Sequence, residues 1–143
     1  MPEHPPQRGE SAEPGDGLDE RAFAVHARFR HALRTFLRFS EQAARRAGLT
    51  PEQHQLLLAI RGSGRPWLLV GEVATELLIA PHSALGLIER AVAAGLVSRE
   101  QDPGDHRKVR VSLTPLAQQL VAELTLAHRA ELRRLWDQIP PPQ

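Results

Sequence analysis

The stretch Gly95-Leu-Val-Ser-Arg-Glu-Gln-Asp-Pro-Gly-Asp-His-Arg-Lys-Val-Arg-Val-Ser-Leu-Thr114 decides how this chain folds. An amphipathic helix ends at Gly95, and the alternation from Leu96 to Glu100 predicts a short strand. A turn packed with Asp, Pro and Gly follows, after which Val109, Val111 and Leu113 mark a returning strand. The segment is therefore a β-hairpin with a charged tip, placed directly behind a helix. Arg107, Lys108 and Arg110 on its tip and returning strand suit contact with a polyanion.

Outward from the hairpin the chain reads as helices. Residues 1–17 are rich in Pro and Gly and poor in apolar side chains, which predicts a disordered tail. One long helix is expected from Leu18 to about Ala47. Its apolar arc holds Phe29, Leu33, Phe36, Leu37, Ser40 and Ala44, and Arg30, Arg34, Arg38 and Arg45 form a stripe on another face. A domain of this size cannot bury so long an arc by itself, so a partner helix from a second copy is expected. Gly48 stops the helix. Thr50, Pro51 and Gln53 then form a capping box for the next, whose buried side is Leu56, Leu57 and Ile60. Trp67 to Val70 is a short apolar strand. Two short helices, Gly71 to Leu78 and Pro81 to about Ala94, form a helix-turn-helix pair. After the hairpin, Thr114-Pro115 starts one final long helix with Leu116, Leu120, Leu124, Ala127, Leu132, Leu135 and Ile139 on its apolar side.

At 143 residues the chain is large enough to bury a core without staples. No uncharged apolar run approaches a membrane span, and the N-terminus lacks a signal-peptide pattern, so a cytoplasmic protein is expected. With no cysteine, disulfides, thiolate metal sites and thiol switches are excluded. The net charge of +1 hides an asymmetry: residues 1–17 carry four acids against Arg8, while residues 18–47 carry seven arginines against Asp19, Glu20 and Glu41.

The order long helix, helix, short strand, helix, helix, hairpin, long helix resembles the multiple antibiotic resistance regulator (MarR) family of bacterial transcription factors. The motifs that carry the resemblance are Gly95-Leu-Val-x-Arg99, Asp102-Pro-x-Asp105-x-Arg107 and Val109-x-Val111-x-Leu113-Thr114, with Leu49-Thr-Pro-x-Gln53 as a softer match. The resemblance covers roughly residues 18–137. It implies a mostly α fold with a small β-hairpin wing: a winged helix-turn-helix lobe over residues 49–113, with dimerisation helices at 18–48 and 114–143. It further implies a homodimeric transcriptional regulator, expected to be a repressor, on palindromic double-stranded DNA. The chain departs from the usual pattern at Leu85-Gly86, where polar or basic side chains are common, and at Ala80, Ala91 and Ala117.

In such a domain the start of the second short helix enters the major groove. Here that assigns Pro81, His82, Ser83, Ala84 and Gly86, with Ala84 suited to a thymine methyl. His82 and Ser83 have an alternative task, replacing the cap missing at Ala80. Gly86 either admits the DNA backbone or relieves packing. Arg107 is the residue that the resemblance sends into the minor groove. Asp105 would hold the hairpin's arginines by a bidentate pair, and His106, Lys108 and Arg110 flank it. Arg90 and Arg99 serve either as phosphate clamps or in ion pairs with Glu89 or Glu100. The stripe on the first helix reads as a solvated face.

The resemblance also implies a cleft for a small ligand, for which an anionic or aromatic compound is the expected class. His26, Arg30, His54 and Trp67 are the candidates to line it, although histidine on a mostly apolar face is more often a core residue than a ligand contact, and Trp67 has the core as its alternative. Seven histidines without HxxxH or HExxH spacing give no metal site, and no cofactor is expected. Asp105-His106-Arg107 looks like a catalytic cluster, but a hairpin tip offers neither water exclusion nor preorganisation, so an enzyme is not expected. The rival to the regulator is a winged-helix module that binds only proteins.

Overall fold

The computed structural model describes residues 18–141 and the isolated Pro2. The tail expected at residues 1–17 lies, Pro2 aside, outside the described residues. Helix α1 spans Glu20–Arg46, capped by Asp19, whose Oδ1 accepts from the Ala22 N–H at 2.9 Å. Helix α2 is Pro51–Gly62, strand β1 Leu68–Leu69, helix α3 Val70–Leu77 and helix α4 Pro81–Ala93. Strands β2 (Val97–Gln101) and β3 (Val109–Leu113) form the hairpin. Helix α5 (Pro115–Ala127) and helix α6 (Arg129–Asp137) follow. The capping box at α2 closes both ways: the Gln53 N–H donates to Thr50 Oγ1 at 3.1 Å, and the Thr50 N–H donates to Gln53 Oε1 at 3.0 Å.

The three strands make one antiparallel sheet in the order β1-β3-β2. Val97 faces Leu113 and Arg99 faces Val111 across the hairpin, and Leu68 faces Val111 on the other side. Val111, at the middle of the middle strand, is wholly buried. It joins Leu56, Leu57 and Ile60 of α2, Val73 of α3, Ile88 of α4 and Val121 of α5 in a single apolar cluster. Helix α2 is thus the axle of the lobe, and burying each of these side chains contributes about 1.5–3 kcal/mol. No helix among the described residues is long and apolar enough to cross a membrane.

Two left-handed residues place the helix-turn-helix and the hairpin. Gly95 has φ +75°, and its backbone turns α4 into β2 while the Leu96 N–H donates to the Ala91 carbonyl at 2.9 Å. Leu78, at φ 56°, does the same after α3, with the Ile79 N–H donating to Ala74 O at 3.1 Å. A leucine there is costly in backbone terms, by about 1–2 kcal/mol, and its side chain is 91% exposed. No packing in the lobe offsets that strain.

The single final helix expected from Thr114 is in fact two, α5 and α6, parted at His128. Its imidazole turns back along the helix: Nδ1 donates to the Leu124 carbonyl at 2.6 Å. A carbonyl only accepts, so in the neutral ring Nε2 accepts from the Ser40 hydroxyl of α1 at 3.0 Å. The ring is buried, edge-on to Phe36 and Phe39, with its centroid 5.3 Å from that of His54 on α2. Periodicity alone shows where a helix is apolar and says nothing of such a buried polar junction.

Burial, and then the neighbouring His128, hold the His54 pKa below the ordinary histidine value. The unfolded chain therefore binds the proton more readily than the folded one. This contribution to stability is complete above about pH 6.5 and is lost as the pH falls through the folded-state pKa. The melting temperature should drop between about pH 7.5 and pH 5.5, and His54→Leu should flatten that segment of the profile. An unchanged slope in the variant would remove His54 as the cause.

Candidate nucleic-acid interface

Helix α4 buries Ala84, Leu87, Ile88 and Ala91 against the lobe, which turns His82, Leu85, Gly86, Glu89 and Arg90 outward. Ala84 was a candidate for a thymine methyl, and the structure corrects this: it is 0% exposed and belongs to the core. Pro81, His82 and Ser83 are exposed at the helix start. No side chain caps α4 at Ala80, so neither His82 nor Ser83 replaces the missing cap. The first N–H groups of the helix point outward without a side-chain partner, which leaves them available to an anion. Arg99 on β2 lies 3.8 Å from Glu89, an exposed pair of small energetic worth.

The wing is a relay of charges. Glu72 in the first turn of α3 accepts from the Leu69 N–H at 3.0 Å and pairs with Arg65. The guanidiniums of Arg65 and Arg110 both stack on Trp67, at 4.8 and 4.2 Å from the ring centroid. Arg110 Nε donates to Asp102 Oδ1 at 2.7 Å. Asp102 Oδ2 in turn accepts from the N–H groups of Gly104 and Asp105, at 3.1 and 3.0 Å. Asp105 then grips Arg107, accepting from its Nε at 3.1 Å, its terminal nitrogen at 3.2 Å and its backbone N–H at 3.0 Å. The Arg107 side chain is 91% exposed at the end of this chain of contacts. Lys108 is exposed beside it, and His106 Nδ1 lies 3.3 Å from Gln101 Oε1.

This relay corrects the expectation that Arg110, like Arg107 and Lys108, suits contact with a polyanion. Its guanidinium is engaged by Asp102 and Trp67 at the base of the wing. All three carboxylates titrate below their ordinary range: Arg110 holds Asp102 down, Arg107 holds Asp105, and Arg65 holds Glu72. What these pairs contribute is present above the ordinary carboxylate range and lost as the pH falls through the lowered values. The wing stays charged and paired at the ordinary pKa of histidine, about 6.5.

The MarR family model matches residues 47–108, which take in α2, α3, α4 and the wing tip. This lobe is a winged helix-turn-helix domain of the MarR family of transcriptional regulators. A crystal structure of AbsC, a MarR family transcriptional regulator from Streptomyces coelicolor, superposes with a TM-score of 0.70 at 23% identity, over 85% of this chain and 81% of that one. Bordetella bronchiseptica BpsR is 27% identical with a TM-score of 0.64, over 85% of this chain and 89% of its own. The HTH-type transcriptional regulator YsmB of Bacillus subtilis (strain 168) is 29% identical over 70 residues, 49% of this chain. The matched stretch is about half (48%) of that relative's length.

Around the MarR lobe the four residues considered for a ligand do not meet. His26 and Arg30 are exposed on α1. His54 is shut in beside His128, and Trp67 carries the two guanidiniums at the wing base. The reading of a shared pocket is therefore corrected. The cleft on the MarR lobe is a different one, open between α2, α3 and the wing and bordered by Leu58, Leu69, Leu77, Leu85, Arg107 and Lys108. Sequence reasoning passed over three functional groups here: Asp102 as the hub of the wing, Arg65, and Glu72. The Asp-Pro-Gly-Asp turn signalled the first. Nothing in spacing pairs Arg65 with Glu72 across a strand. Among the described residues no group of three or more His, Cys, Asp or Glu is placed to hold a metal.

Proposed function

We propose that the chain is a homodimeric transcriptional regulator that binds palindromic double-stranded DNA, with α4 in the major groove and the wing in the minor groove. The observation that carries this is Arg107. A fully exposed guanidinium, fixed by its own aspartate at the tip of a braced hairpin, has no task within the lobe. A narrow minor groove concentrates negative potential and draws such a group. The uncapped start of α4 supplies N–H groups for a phosphate on the same surface.

The dimer reading is supported by what α1 and α6 leave uncovered. Phe23, Leu37, Leu132, Trp136 and Ile139 are between 43% and 75% exposed. Apolar surface of that extent is what a second copy would cover, and a two-fold dimer reads two half-sites. Control by a small ligand is a second reading. BpsR is described by the regulation of its DNA binding by 6-hydroxynicotinic acid. The open apolar cleft here ends on Arg107 and Lys108, so an anionic ligand seated there would compete with DNA for the wing.

Titrating DNA affinity against salt tests the main reading. Each neutralised phosphate adds about −0.9 to the log–log slope, so a dimer touching several should lose about a thousandfold or more between about 50 and about 200 mM salt. A flat response, or no retention of any duplex, would sink the regulator reading and leave the protein-binding module as its rival.

A further inference from the structure

Gly86 stands on the face of α4 opposite its buried residues, at the centre of the surface turned outward. Glycine inside a helix is destabilising by about 1 kcal/mol against alanine. Nothing about the backbone requires it here, since Gly86 is not among the glycines with positive φ. The neighbourhood supplies one reason. Beyond its chain neighbours and the helix's own backbone, a Cβ built on Gly86 would meet within 4 Å only the Arg90 guanidinium nitrogen, at 3.2 Å. What the glycine makes room for is therefore the Arg90 side chain, folded back one turn across the helix.

The neighbouring charges do not engage this arginine. Glu89, its neighbour in sequence, is turned to Arg99 on the wing strand. Arg90 forms no ion pair among the described residues. Its guanidinium lies over Gly86, on the outward face. An arginine extended from the flank of the helix would reach a phosphate. One laid across the centre of the face meets base edges first, and its planar fork matches the O6 and N7 acceptors of guanine.

We infer that Arg90, drawn across Gly86, is the specificity-determining residue of α4 and reads a guanine in the major groove. The inference rests on the DNA-binding function proposed above. Gly86 is a positioning residue in it: its missing side chain sets where the guanidinium lies.

The test uses the full chain and the duplex that it selects from random-sequence DNA. Each guanine of that duplex is replaced in turn by 7-deazaguanine, which removes the N7 acceptor and keeps the base pair. At one position in each half-site the wild type should lose about tenfold in affinity or more, and Arg90→Ala should be indifferent to the same replacement. Gly86→Ala should move two readouts in opposite directions. Its melting temperature should rise by a few degrees from the gain in helix propensity, while its discrimination at that guanine falls. The double variant should bind no more weakly than Arg90→Ala alone.

A uniform loss in Arg90→Ala on all sequences, with the salt slope shallower by about 1, would make Arg90 a phosphate contact and overturn the inference. So would a selected duplex without guanine, or a Gly86→Ala variant that keeps full discrimination. Those results leave DNA binding standing. Failure to select any duplex would overturn the proposed function together with the inference.

Discussion

Asp102→Ala should weaken DNA binding at least about tenfold, although it removes a negative charge from a surface that faces a polyanion. Bulk electrostatics predicts the reverse: with the net charge raised from +1 by one unit, affinity should rise. Geometry wins because Asp102 holds three groups at once. It fixes Arg110 at 2.7 Å and the N–H groups of Gly104 and Asp105 at about 3 Å, so its loss releases the turn that carries Asp105 and Arg107. The stack of Arg110 on Trp67 would loosen with it. Affinity measured at several salt concentrations checks this. The salt slope should stay close to that of the wild type while the intercept falls, since the phosphate contacts keep their charges. A gain in affinity would mean that the wing is not held by this relay.

Arg107→Ala should have the largest effect of any single substitution, about a hundredfold loss, because the proposed two-fold dimer would lose a minor-groove contact at both wings. The residue is 91% exposed, so dimer mass, helical content and melting temperature should not change. Arg107→Lys separates charge from shape. A lysine keeps the positive charge but cannot donate the bidentate pair to Asp105, and it should recover only part of the loss. Unaltered affinity in Arg107→Ala would refute the placement of the wing on DNA.

How far the chain could be read in advance depended on whether the relevant forces were local. The capping box at Thr50, the stop at Gly95 and the hairpin all follow from neighbours in sequence, and each stands in the structure at its expected place. The family resemblance, built on the same local motifs, placed the winged fold. Ala84 failed because a small residue at a helix start is compatible with either face, and only the packing of α3 and α2 decides that it goes inward. Arg110 failed for a related reason. From sequence it is one of three basic residues on a hairpin, and its task depends on Trp67, which is 43 positions away and precedes a different strand. The break at His128 was invisible to periodicity, since a histidine bonding back to its own helix leaves the apolar stripe intact. The ligand candidates follow from residue type within a cleft that the resemblance implies, and neither brings distant side chains together.

Thr114 has a consequence beyond capping α5. Its hydroxyl donates toward the Gly95 carbonyl at 2.7 Å and the Leu96 carbonyl at 3.1 Å, and it accepts from the Ala117 N–H at 3.3 Å. The Thr114 N–H also donates to Leu96 O at 3.0 Å. The excursion from Gly95 to Thr114 thus departs and returns through one residue, like a loop of thread drawn shut by a single stitch. Whatever length or sequence lies beyond the stitch, α4 and α5 keep their spacing. The reach of the wing is thereby a variable independent of the rest of the lobe, and related chains can lengthen or recolour the tip without rebuilding what carries it.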